Sequence, residues 1–431
     1  MNEFSPVRPD ISLPVILTYA FVAFVIALII TPRFVAFLRY NKIGKQLRVE
    51  TVDGREPTVF RKYHESKWGT PTMGGLLIWG SILVAVIISR LLSLFGYVES
   101  SLLQRGQVYL PLFMMVTLGV LGGIDDYINV VGSDERKVKR VMQQAYGTFF
   151  ALSPIALPVI FYLSGVIDST YGIPLTGFGM VLLPVLLLAM IVWLSVAGIV
   201  VGDVIQRIRG RASVSKGLGV LPKVASLLLL TLFAALWFHL KLGYSSVHVP
   251  FWGDIVLGWW YVPLFMFVII GTANGVNFSD GLDGLCAGLL TIAFTIFGII
   301  AYVKGLDVLA AFCAVSVGAI VAFLWHNVPP ALFFMGDTGS LALGGVLAVI
   351  AMMIDQVLIL PLVGFVFLIE TLSVIIQLSS KKLRGGKKVF IAAPIHHHFE
   401  ALDWGESKVT MRLWIVGGFF AMIGLIVGIL G

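Results

Sequence analysis

Residues 12–32 read SLPVILTYAFVAFVIALIITP, twenty-one positions without one charged side chain. A run of about twenty mainly apolar residues is what a helix needs to cross the hydrocarbon of a bilayer. The apolar residues are continuous, without the alternation of a barrel strand, so the run is read as a spanning helix. The rest of the chain repeats that pattern. Of 431 residues, 58% are hydrophobic and only 12% charged, and the mean hydropathy is +0.97. A soluble globule of this length carries roughly a quarter of its residues as charges. The 30 Lys and Arg and 23 Asp and Glu collect in short blocks between apolar runs. Disorder, a disulfide scaffold and a β-barrel are excluded on the same ground, and the fold class is an all-α polytopic membrane protein.

By the length rule the spans fall near 12–32, 72–95, 108–124, 142–166, 177–202, 221–242, 257–276, 284–303, 308–326, 339–354, 357–378 and 410–430, about twelve transmembrane helices in a single domain covering 1–431. The segment 108–124 is short and ends on two aspartates, and 339–354 is Gly-rich. No small-residue cleavage site follows MNEFSPVRPD, so the first run is expected to be a retained helix and no signal peptide. Lys and Arg concentrate after the first, third, fifth and eleventh spans, which the positive-inside rule assigns to the cytoplasm. An even count then leaves both termini outside it. The net charge of +7 follows from the same retention and gives no reason to expect nucleic acid. Cys286 and Cys313 lie inside apolar runs and read as small buried hydrophobes.

Ionisable groups near bilayer depth are costly, so their positions are informative. GVLGGIDDYINV (119–130) puts Asp125 and Asp126 where the third span ends, against the helix dipole. GTANGVNFSDGLDGL follows the seventh span with Asn274, Asn277, Asp280 and Asp283 at steps of three. Asn327 and Asp337 follow the ninth span, and His396, His397, His398 and Glu400 follow the eleventh. Taken singly, SDGLDG and GDTGS read as turns and caps, and three histidines as a surface stretch. Jointly they put Asp, Asn, Lys and His on one membrane face while the other face is nearly bare. Carboxylates without Cys suit a hard cation such as Mg²⁺ over zinc, and Mg²⁺ with Lys and Gly-rich loops suits a diphosphate. The chemistry implied is phosphoryl transfer at the cytoplasmic surface.

SKWGTPTMGG (66–75), GGIDDY (122–127), NGVNFSDGLDGL (274–285), HNVPPALFFMGDTGSLALGG (326–345) and PIHHHFE (394–400) together resemble the phospho-N-acetylmuramoyl-pentapeptide transferases, within the polyprenyl-phosphate N-acetylhexosamine-1-phosphate transferase superfamily. The resemblance implies transfer of phospho-MurNAc-pentapeptide from UDP to undecaprenyl phosphate with Mg²⁺ as cofactor, in a bacterial plasma (inner) membrane and as a homodimer. It implies a core of ten spans, a small extracellular β-hairpin and a cytoplasmic catalytic cleft. By the same resemblance Asp125 and Asp126 are the paired acids, Asp337 is the Mg²⁺ carboxylate, and His396 opens the catalytic histidine motif with His397 beside it. Gly281, Leu282, Asp283 and Phe334 resemble a uracil pocket; Asn274, Asn277, Asp280, Asn327, Gln377 and Lys67 match polar positions of the nucleotide cleft.

The chain departs from that pattern over 130–214, where two apolar spans follow the DDY motif and read as a peripheral inserted pair. The family lysine expected after the double Asp is replaced locally by Asn129. Lys216 is the first candidate for its role because of its KGL context, with Lys223, Lys137 and Lys139 as alternatives. A sister GlcNAc-1-phosphate transferase is the near alternative. A cation-coupled transporter is the distant one, disfavoured because the acids lie at one interface and no repeat is evident.

Overall fold

The computed structural model describes residues 11–44, 67, 69–98, 100–103, 106–131, 135–163, 178–208 and 220–431. Every apolar segment expected from sequence carries helix. In chain order these are α1 (Leu13–Tyr40), α2 (Gly75–Leu94), α3 (Tyr109–Val131), α4 (Glu135–Leu163), α5 (Phe178–Ile208) and α6 (Val220–Leu236), which runs into a π-helical turn at Trp237–Lys241. After a hairpin of β1 (Ser246–Val249) and β2 (Gly253–Val256) come α7 (Tyr261–Ser279), α8 (Leu285–Val303), α9 (Asp307–Asn327) and α10 (Asp337–Met353). The chain ends with α11 (Leu360–Val363), α12 (Phe365–Leu383), α13 (Ile395–Ala401) and α14 (Glu406–Leu430).

Among the described residues eight helices are long and apolar enough to cross a membrane. The count of about twelve is refined in two places. The segment 357–378 is bent by 84° between Val357–Val363 and Phe365–Leu383, at Gly364, and makes at most a ninth span. Asp337–Met353 is apolar but shorter, and the expected spans 142–166 and 177–202 lie partly outside the described residues.

The Gly-rich run is short because it is the centre of the bundle. Leu343, Val346, Leu347 and Ile350 of α10 belong to one hydrophobic cluster shared with α1, α2, α8, α9 and α14. Leu341, Ala348, Val349 and Met352 belong to a second, shared with α3, α5, α6 and α7. A helix buried on all sides is apolar all round, and small residues let its neighbours approach closely when lipid offers no competing hydrophobic drive. A methyl on Gly122 of α3 would land on the Asp337 backbone, and one on Gly75 of α2 on Gly339. The motif ends of α3 and α10 are thereby drawn together.

Helix α12 reverses the soluble pattern. Glu370, Ser373, Gln377 and Ser380 face inward and are buried, while Leu368, Leu372, Ile375, Ile376 and Leu378 are exposed on the outer side. That is the pattern of a helix in lipid with a polar interior behind it. At the opposite end of the bundle the hairpin pairs antiparallel, with Ser246 opposite Val256 and Val249 opposite Gly253. Both cysteines are free and buried, as expected.

Candidate active site

The loop before α10 reads MGDTGS, and Gly336 takes φ 72° at the helix start. It has no side chain to cap the helix, and a methyl there would land on the Asp126 carboxylate. Asp126 supplies the cap from α3. It accepts the Asp337 N–H at 3.1 Å, the Thr338 N–H at 3.0 Å and the Thr338 hydroxyl at 2.7 Å. A carboxylate at a helix N-terminus satisfies orphan donors and meets the positive end of the dipole. Asp280 holds the same loop by accepting the Gly336 N–H at 2.9 Å.

With Asp126 occupied in that way, the neighbouring acid, itself buried, is left to pair across to α6. Lys223, in the first turn of α6, lies 3.1 Å from Asp125 and also pairs with Asp337. Asn277 of α7 donates to Asp337 at 2.6 Å and to Ser340 at 2.9 Å. Asn129 donates to Asp125 at 3.4 Å, so the residue standing at the expected lysine position supports the acid directly. Four helices thus contribute to one cation–carboxylate group, in which the Lys223 and Asp337 side chains stay 24% and 21% exposed.

A second group lies against it. Lys67 bonds Asp283 at 2.6 Å and pairs with Glu406 at the start of α14. Glu406 also accepts the Asp283 N–H at 2.7 Å, and Asp283 accepts the Ala331 N–H at 2.9 Å. The Lys67 ammonium lies 5.7 Å from the ring centre of Phe334, whose backbone is stitched to Pro71 and Gly74. Leu282 is buried beneath this loop.

Other expected site residues spend their polar atoms on the frame. Asn274 bonds the Ile270 carbonyl one turn back in its own helix. Asn327 accepts the Gly284 N–H at 3.0 Å and donates to the Phe333 carbonyl at 2.9 Å. Gln377 accepts from Val389 and Phe390 and donates to the Phe390 carbonyl. His396 is fully buried, 3.1 Å from an equally buried Glu370, with its other ring nitrogen packed on Gly281. His397 bonds Glu400 at 2.6 Å and keeps 16% of its side chain exposed. Lys216 lies outside the described residues; Lys139 is exposed on α4, and among the described residues Lys223 is the lysine that reaches Asp125. Sequence reasoning passed over Glu370 and Glu406. Glu370 had a signal, an acid inside an apolar run; Glu406 had only its place four residues before the expected last span, and it is the first residue of α14.

Among the described residues no three His, Cys, Asp or Glu side chains converge closely enough to hold a metal by themselves. Asp125 and Asp337 do converge, and the cation between them is the Lys223 ammonium. Two carboxylates, with phosphate and water completing the shell, is the donor set Mg²⁺ takes in phosphate chemistry, so the residues fit that ion.

The motif that carries Lys67 matches the phospho-N-acetylmuramoyl-pentapeptide-transferase signature over residues 67–78, and the glycosyl transferase family 4 model matches residues 185–355. A protein of Staphylococcus aureus named phospho-N-acetylmuramoyl-pentapeptide-transferase is 33% identical over 415 residues, covering 96% of this chain and 99% of its own. The chain belongs to that transferase family. A second member, from Halalkalibacterium halodurans, is 35% identical over 412 residues, 95% of this chain and 97% of its own. The family 4 match begins at residue 185, within α5 and inside the stretch 130–214 expected as an insertion.

Proposed function

We propose that this transferase family member moves phospho-N-acetylmuramoyl-pentapeptide from its UDP carrier to undecaprenyl phosphate, forming lipid I and UMP at a bacterial inner membrane. The observation that carries the reading is the Lys223 ammonium held between Asp125 and Asp337, at the end of α3 and the start of α10. Such a group binds and orients two phosphates. A UDP-sugar and a lipid phosphate repel each other, and a preorganised cation offsets that repulsion without reorganising when charge moves.

In the proposed route Asp125 orients the acceptor phosphate and removes its proton where one is present. The acceptor oxygen then attacks the sugar-bearing β-phosphorus in line. The bond from that phosphorus to the α-phosphate oxygen breaks, and UMP leaves with the electron pair. Asp125 and Asp337 would hold Mg²⁺ with the diphosphate, and the ion, when bound, supplies charge neutralisation of the leaving phosphate. Lys223 binds the diphosphate as the carboxylates release it. Lys67, Asp283 and Phe334 form the neighbouring group that receives the nucleoside. The same proposal sets this face of the bundle in the cytoplasm and both termini outside, following the basic loops.

The test is incubation of detergent-solubilised protein with UDP-MurNAc-pentapeptide and undecaprenyl phosphate, with UDP-GlcNAc in parallel. Lipid I and UMP are expected from the first pair alone; turnover of UDP-GlcNAc instead would move the chain to the sister branch. A phosphorylated enzyme trapped in the absence of lipid would replace the in-line route with a two-step one.

A further inference from the structure

Of the two helices that follow Asp125 in sequence, α5 is not peripheral. The described part of α5 packs against both α3 and α6, the helices carrying Asp125 and Lys223. The contact with α6 is an antiparallel interlock in which spacing matches spacing. Gly198 and Gly202 lie four apart on α5, and Ser226 and Pro222 lie four apart on α6. A methyl on Gly198 would land on the Ser226 backbone, and one on Gly202 on the Pro222 backbone. Pro222 is the residue immediately before Lys223. On its other side α5 meets α3, where the Ser195 hydroxyl donates to the Thr117 carbonyl at 3.4 Å, about two turns before Asp125. Tyr146 of α4 donates to Asp203 at 2.9 Å, bracing α4 against α5 beside Gly202. Trp193 donates to Ser153 at 2.8 Å and stacks on Phe149, extending that brace.

We propose that α5 is a positioning element for the transfer reaction: the Gly198–Gly202 face sets how deeply α6 seats, and so places the Lys223 ammonium between Asp125 and Asp337. The proposal rests on the reading of Lys223 as the diphosphate-binding cation. Helix α5 touches no substrate and acts only through α6. Only glycine permits this spacing. Any Cβ at 198 or 202 meets backbone, which cannot rotate away as a flexible side chain can, so the axis of α6 must move outward and carry Lys223 with it. Helix α5 is thereby part of the catalytic frame.

A double-mutant cycle on the full-length purified enzyme tests this, with kcat and KM for UDP-MurNAc-pentapeptide measured for Gly202→Ala, Lys223→Ala and the two combined. A displaced binding group costs about ten- to a hundredfold in kcat/KM, and Gly202→Ala is expected within that range with most of the change in KM. In the Lys223→Ala background the same substitution is expected to change nothing further, because the group it misplaces is gone. Gly198→Ala, one turn farther from Lys223, is expected to show the same sign at smaller size and serves where Gly202→Ala does not fold. Gly147→Ala on α4, where a methyl meets open space, is the control expected to match wild type. Where Lys223→Ala leaves too little turnover for a KM, UMP binding by calorimetry completes the cycle. Wild-type kinetics for both glycine variants, or effects that multiply with that of Lys223→Ala, would overturn the proposal. A kinetically silent Lys223→Ala would instead remove the reading of the site on which it rests.

Discussion

At the Asp125 end of the bundle a lysine from one helix meets carboxylates from two others; at the hairpin end a histidine from a strand meets carboxylates from its own hairpin and from the loop before α11. The charges are similar in kind and differ in what holds them. Asp126 is fixed by three donors of the α10 N-terminus, leaving Asp125, Asp337 and Lys223 converged, with Asp337 and Lys223 partly open. At the other end His248 spends both ring nitrogens, on Asp254 at 2.7 Å and on the Gly431 carbonyl at 2.9 Å, and its N–H meets Asp355 at 3.0 Å. The first arrangement keeps charge available for a ligand. The second consumes it in tying the hairpin, the chain end and the 354–357 loop together. A cluster of charged groups is therefore a site only where other bonds have already satisfied its frame.

The largest expected effect follows from that contrast. Asp337→Asn removes the charge on which Lys223 and Asn277 converge, and activity is expected to fall by at least about a hundredfold. Turnover at the wild-type rate with unchanged Mg²⁺ dependence would break the metal assignment and erase the difference between the two ends. Lys223→Ala is expected to raise the KM for the UDP substrate more than Lys216→Ala does; the reverse order would return the diphosphate role to Lys216. Asp125 and Asp126 separate next. Asp126→Ala strips the N-terminus of α10 of its acceptor and is expected to cost about 1–3 kcal/mol in stability, as a buried unmet donor does. Asp125→Ala is expected to abolish turnover while leaving the unfolding temperature in detergent nearly unchanged. Equal thermal shifts for the two would show that the acids share one role.

Much of this was legible in the chain. Continuous apolar runs announced the helices, and the clustering of Asp, Asn and His after particular runs announced that one end carries chemistry. What was not legible concerns position across the chain. The KGL context drew attention to Lys216, but the reach to Asp125 depends on where α6 begins, and Val220–Leu236 puts Lys223 in its first turn. Asn327 and Gln377 have the residue types of a ligand cleft, and only the partners of their amides show them clamping loops. The bend at Gly364 lies inside a run that hydropathy reads as one straight span. Glu370 follows from it: once α12 turns by 84°, its acid faces the interior and is met by His396, twenty-six residues later.

The smallest effect belongs to the hairpin end, and it is a matter of pH. The Gly431 carbonyl and the Asp254 carboxylate raise the His248 pKa above its ordinary value of 6.5, with Asp355 adding to them. A group whose folded pKa is raised stabilises the fold fully below its unfolded pKa and loses that contribution as pH rises through the folded value. His248→Ala should thus lower the unfolding temperature most below about pH 6.5, and the gap from wild type should close at more alkaline pH. Its turnover at saturating substrate should match wild type throughout, since no atom of the Asp125 cluster depends on it. A gap that widens with rising pH would mean that the neutral imidazole is the form the hairpin uses. Lost turnover would mean that the two ends are coupled through α10, which runs between them.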